Sequence, residues 1–173
     1  MPISCSAACT GGGANEDCLC SGSPSVTTVV CDFTNITSVP PVPSTVTAFS
    51  LAHNQVARLT ELSFINRFFS VLTRLQRINL RRNEITSFGI GTFDFLTDLR
   101  TLDVSFNSIS VISEDMFKKL TKLKALRLSN NAISSIAPGA FQNLTSLEEL
   151  YLDSNNLLTL NGNWFKELTK LRV

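Results

Sequence analysis

Five stretches of the chain share one order of apolar and polar positions: apolar-x-x-apolar-x-apolar-x-x-Asn-x-apolar. They are VTAFSLAHNQV from Val46, LQRINLRRNEI from Leu75, LRTLDVSFNSI from Leu99, LKALRLSNNAI from Leu123 and LEELYLDSNNL from Leu147. The last four begin 24 residues apart, and the first interval is 29, which places five inserted residues near Ile65 to Phe69. The central apolar-x-apolar has a period of two. It predicts a short strand in each unit with both apolar side chains on one side. Asn54, Asn83, Asn107, Asn131 and Asn155 fall where the chain turns out of that strand. A buried turn leaves backbone groups unpaired, and an inward amide can both donate to them and accept from them.

The second half of each unit repeats too. Phe64, Phe93, Phe117, Phe141 and Phe165 follow the last apolar position by eight residues. Leu72, Leu96, Leu120, Leu144 and Leu168 precede the next unit by three. No single unit can bury its own leucines, so neighbours must do so, and parallel strands stack into a curved sheet. These motifs resemble the leucine-rich repeat over about three-quarters of the chain. The resemblance implies an α/β solenoid with a parallel sheet on the concave face and the phenylalanines filling the wider convex side. The array spans 46–173, with units starting at 46, 75, 99, 123 and 147 and a truncated one at 171.

All five cysteines (Cys5, Cys9, Cys18, Cys20 and Cys31) lie in the first 31 residues. The only histidine, His53, stands outside that cluster, so the spacing favours a disulfide staple over zinc, and with it an oxidising, extracellular compartment. Residues 1–45 resemble the N-terminal cysteine cap of extracellular leucine-rich-repeat proteins. That resemblance implies Cys18 paired with Cys31, and Cys20 paired with either Cys5 or Cys9. One thiol is left over: free, or bonded to another chain or a small thiol. The insertion from Gly11 to Asp17 departs from the family's cap. The start lacks a basic segment followed by an apolar stretch, so the chain reads as a mature fragment without a signal peptide.

Leu171-Arg172-Val173 aligns with Leu147-Glu148-Glu149, so a next strand is begun and not completed. The expectation is an uncovered end made of Leu150, Leu152, Phe165, Leu168, Leu171 and Val173. A two-fold homodimer through that end would cover it.

Positions flanking the strand leucines are expected to face outward from the concave sheet. They include Arg77, Asn79, Arg81, Arg82, Arg100, Asp103, Phe106, Arg127, Asn130, Tyr151 and Asp153, with Ala48, Ala52, Ser105 and Ala125 among their neighbours. Net charge is only +1, yet the three middle units present six basic residues there against one acid, Asp103. The last unit presents Glu148, Glu149 and Asp153 with no base. Clustered guanidinium groups suit phosphate and carboxylate, which arginine grips in bidentate fashion. Phe106 and Tyr151 are of the type enriched in binding hot spots. Catalysis finds little support: a triad could use only His53, read as a surface residue, and no phosphate-binding glycine loop precedes a strand–helix unit. No metal, cofactor or nucleic acid is expected. No apolar run approaches a membrane span, so no direct insertion is expected either. Sequons at Asn35 and Asn143 are potential glycosylation sites, both expected away from the concave sheet.

The phrases AFQNLTSLEELYLDSNNL and MFKKLTKLKALRLSNNAI resemble the variable lymphocyte receptors of jawless vertebrates and the ectodomains of Toll-like receptors. The compact size is closer to the first. The resemblance implies secreted or membrane-tethered recognition of microbial surface glycopolymers through a basic concave face. The alternative is a matrix or adhesion protein that binds a host protein.

Overall fold

The computed structural model describes residues 3–4, 18–22, 27–40, 42, 44–59, 72–89 and 91–172. Cys5, Cys9, Phe64, Val173, the Gly11–Asp17 insertion and the Ile65–Phe69 insertion lie outside the described residues. Each apolar-x-apolar pair starts from one three-residue strand: β4 (Ala48–Ser50), β5 (Arg77–Asn79), β6 (Thr101–Asp103), β8 (Ala125–Arg127) and β10 (Glu149–Tyr151). The central residue of each points inward; Phe49, Ile78, Leu102 and Leu126 are all buried. These strands pair in parallel, and the register follows the sequence spacing. Ala48 faces Arg77, Arg77 faces Thr101, Thr101 faces Ala125 and Ala125 faces Glu149.

The sheet begins earlier than the five aligned units. Strand β3 (Thr28–Val30) pairs in parallel with β4, and β2 (Leu19–Ser21) and β1 (Ile3–Ser4) extend it antiparallel beyond β3. The match of Val29 to Phe49 exposes another copy of the pattern, Val29-x-Cys31-x-x-Thr34-x-Ile36. Thr34 stands where the other units have asparagine. A disulfide joins Cys18 to Cys31, as the resemblance implied. Cys20 is also disulfide-bonded; the partners expected for it, Cys5 and Cys9, lie outside the described residues.

The asparagines form the expected ladder. Asn107 Nδ2 donates within its own unit to Val104 O (3.0 Å) and Ser105 O (3.2 Å), and across to Leu80 O (3.0 Å). Its Oδ1 accepts from Ile85 N of the preceding unit (2.9 Å). Asn83, Asn131 and Asn155 repeat this arrangement. The residue before each rung (His53, Arg82, Phe106, Asn130, Ser154) has a left-handed backbone, φ between 53 and 57°. Side-chain-bearing residues adopt it only at a cost of about 1–2 kcal/mol each. Here the turn drives the next side chain inward, where the ladder bonds offset that cost.

The opposite side is packed by the phenylalanines. Phe93, Phe117 and Phe141 are each 1% exposed and stack at 6.1 and 6.4 Å. Their burial stabilises the fold by about 1.5–3 kcal/mol apiece. The expected α-helical component is corrected here. Among the described residues the only helix is a 3-10 helix, Gly162–Phe165. Elsewhere this side is built of turns and a second parallel pair, β7 (Val111–Ile112) with β9 (Ser135–Ile136). In the unit after β6, turns close through Leu120 N to Phe117 O and Leu123 N to Leu120 O, both 3.0 Å. These bonds join residues three apart, so this return path has no run of the four-apart bonds that define an α-helix.

Candidate ligand-binding face

The face of the sheet turned away from the phenylalanines holds a shallow groove of about 270 Å³. Its floor is the sheet itself, crossed by β3, β4 and β5 at Thr28–Val30, Ala48–Ser50 and Arg77–Asn79. Arg77, Asn79, Thr101, Asp103 and Arg127 edge it. Of the eleven expected outward residues, only Arg77, Asn79, Asp103 and Arg127 line this groove. The contribution of β3, through Thr28, Val29 and Val30, was missed because Cys31 and Thr34 disguise the repeat. Ala48, Ala52, Ser105 and Ala125 are buried, contrary to the expectation that they face solvent. Their short side chains lie in the shadow of longer neighbours one unit away.

Arg81, Arg82 and Phe106 gather at the strand exit instead. The Arg81 guanidinium lies 4.0 Å above the Phe106 ring centroid and that of Arg82 lies 4.7 Å from it. The left-handed backbone of Arg82 and Phe106 throws both side chains outward from this corner. Arg81 Nη1 donates to Ser105 Oγ (3.1 Å), and Ser105 Oγ donates to Asp103 Oδ1 (2.6 Å). The one acid of the basic region is therefore held by a hydroxyl and a backbone N–H, and meets Arg81 only through Ser105. Cation–ring contacts at exposed sites are worth about 0.5–1 kcal/mol, enough to order the two arginines side by side.

The boundary with the acidic unit is neutralised by lateral pairs. Lys124 meets Glu148 at 2.8 Å and Arg127 meets Glu149 at 3.3 Å. Arg172 also reaches Glu148, at 3.0 Å. The hydrogen bond from Lys124 holds the Glu148 carboxyl below the usual range. Partial desolvation opposes this, while the positive charges of Lys124, Arg172 and Lys170 add to it. Asp98 is lowered likewise, chiefly by the hydrogen bond from Lys122, with a smaller contribution from Arg100. Among the described residues, Arg77, Arg81, Arg82 and Arg100 form no ion pair, so the basic patch contracts to these four. Asn130 is half-buried at its corner, Asp153 accepts from Ser129, and Tyr151 is exposed with Arg127 5.4 Å from its ring.

At the far end, Leu150, Leu152, Phe165 and Leu171 are half-buried, whereas Leu126, Leu128, Phe141 and Leu147 one unit earlier are buried. Leu168 remains buried. Asn35 is exposed and Asn143 half-buried, and neither lines the groove.

The family model described as leucine rich repeat matches residues 44–109, 73–133, 97–157 and 121–173, which together run from 44 to 173. The chain belongs to the leucine-rich-repeat family. A comparison with curated proteins finds no match. Leucine-rich-repeat solenoids are typically non-enzymatic scaffolds that bind proteins or other ligands, and the groove and arginine corner lie on the sheet of this one. Among the described residues, no cluster of His, Cys, Asp and Glu could hold a metal ion, and no helix is long and apolar enough to cross a membrane.

Proposed function

We propose that this leucine-rich-repeat protein is a non-catalytic, extracellular recognition module of the innate or variable-lymphocyte-receptor-like kind. Its sheet face binds anionic polymers of microbial surfaces, such as teichoic acid or lipopolysaccharide. The observation that carries this reading is the quartet Arg77, Arg81, Arg82 and Arg100. Among the described residues none of them forms an ion pair, and two of them, Arg81 and Arg82, are ordered over Phe106. Like charges held side by side, as Arg81 and Arg82 are, attract an anion, and phosphate suits the guanidinium fork. The Cys18–Cys31 disulfide supports an oxidising compartment.

The test is binding to immobilised teichoic acid and lipopolysaccharide across a salt series. Charge-assisted hydrogen bonds contribute about 1.5–3 kcal/mol each, so Arg81→Ala with Arg82→Ala should weaken binding at least tenfold. Salt should weaken the parent protein in the same direction. Undiminished binding by the double variant would remove the proposal. A second reading, adhesion to a host protein, is favoured by Tyr151, which is 42% exposed between Glu149 and Asp153. It requires a partner lost on Tyr151→Ala and indifferent to the arginine changes.

A further inference from the structure

We propose that Asn35 carries an N-linked glycan whose first sugar packs on the exposed face of Phe33. The chain from Phe33 to Thr37 alternates strictly between outside and inside. Phe33, Asn35 and Thr37 are exposed, and Thr34 and Ile36 are buried. The inward residues are tied down. Thr34 Oγ1 donates to Cys31 O at 2.8 Å, and Thr34 N and Ile36 N donate to Asn54 Oδ1 at 3.1 and 2.9 Å. Their anchoring forces the neighbours outward, so the acceptor amide of Asn35 and the hydroxyl of Thr37 face solvent together. The folded chain can therefore carry a glycan at Asn35 without disturbing its core.

Phe33 is 71% exposed, a large apolar ring with no evident role in the core. One of its faces is occupied: the His53 ring stacks on it at 4.1 Å and 21°. Phe33 and His53 both have left-handed backbones, φ 60 and 57°, in equivalent turns of adjacent units. The ring is therefore braced from behind and open in front, two residues before the acceptor asparagine. The face of a pyranose presents C–H groups, and an aromatic face is electron-rich, so the two attract while burying apolar surface.

The second sequon shows what the fold adds. Phe141-Gln142-Asn143-Leu144-Thr145 has the same Phe-x-Asn-x-Thr order as Phe33-Thr34-Asn35-Ile36-Thr37. Phe141, however, is 1% exposed and stacked on Phe117, so it offers no ring to a sugar. Asn143 is only half-exposed. The two sites should differ in consequence even if both are modified.

In the modification, Nδ2 of Asn35 bonds to the anomeric carbon of an oligosaccharide carried on a polyisoprenyl diphosphate. The bond from that carbon to the diphosphate oxygen breaks, the diphosphate leaves with the electron pair, and the amide proton passes to the transferase's base. The proposal shares with the proposed function only passage through the secretory route. Binding to bacterial polymers can fail while the glycan stands.

The experiment uses the full chain secreted from a eukaryotic host in an Asn143→Gln background, trimmed enzymatically to a single N-acetylglucosamine. Peptide mass spectrometry should find Asn35 occupied. Against the Asn35→Gln variant, the single sugar should raise the melting temperature by about 2–4 °C, and Phe33→Ser should abolish that increment. In the parent, NMR signals of the sugar should move upfield from ring currents, a readout independent of whether Phe33→Ser folds. Secreted protein with Asn35 unmodified, an equal increment with and without Phe33, or sugar signals at their free positions would each overturn the proposal.

Discussion

Replacing Asn107 by leucine keeps the side chain's branching and removes one rung of the ladder. Asn107 Nδ2 serves Leu80 O and Val104 O, but those carbonyls keep partners in Asn83 and Asn131. Ile85 N–H is different. It is buried in the preceding unit, and Asn107 Oδ1 is its acceptor at 2.9 Å. Orphaning a buried donor costs about 1–3 kcal/mol, and the lost donor bonds add about 0.5–1.5 each, less the gain from burying leucine. A net loss of ~2–4 kcal/mol is expected. The same substitution at Asn54 should cost more, because Asn54 Oδ1 accepts from both Thr34 N and Ile36 N. Urea unfolding followed by far-ultraviolet circular dichroism would measure both. Fluorescence of Trp164, the single tryptophan, gives a second probe from the opposite end of the solenoid. Coincident transitions would license two-state values. A loss under ~0.5 kcal/mol at Asn107, below any unsatisfied donor, would refute the account, as would a smaller loss at Asn54 than at Asn107.

Two further outcomes follow from the packing and the charges. Phe117→Ala should destabilise by about 3–5 kcal/mol in the same unfolding assay, since it opens a cavity between Phe93 and Phe141; Phe165→Ala, at a half-buried site, should cost less. Glu148 has a lowered folded-state pKa, so its contribution to stability is present above the ordinary carboxylate pKa and disappears as pH falls through the folded value. NMR titration should show that pKa rise towards the ordinary range in Lys124→Met, with the acid-side loss of stability reduced.

Much of the fold is legible in the chain because a solenoid is close to one-dimensional. Each unit contacts only its neighbours, so the spacing of repeats is also the register of strands. The 24-residue intervals therefore reappear as Arg77 opposite Thr101 and Thr101 opposite Ala125. The asparagine ladder follows for the same reason. Where Cys31 and Thr34 replace leucine and asparagine, the pattern loses its letters but keeps its shape, and β3 was visible only once paired with β4. The lateral pairs Lys124–Glu148 and Arg127–Glu149 lie one unit apart and could have been read by setting the repeats side by side.

Other features were settled only by the folded chain. Whether the segment that returns from one strand to the next is helix or turn is one of them, since the apolar spacing is compatible with both. Which arginines keep a free charge depends on what stands beside them across the sheet. The two Phe-x-Asn-x-Thr segments carry this furthest. Written out, they are equivalent. Folded, Phe141 fills the space between turns, while Phe33 sits on a left-handed corner whose backbone points it outward against His53. Local sequence determines the alternation of side chains along the strand, but burial is a property of what comes to lie alongside, and only tertiary structure supplies that neighbour.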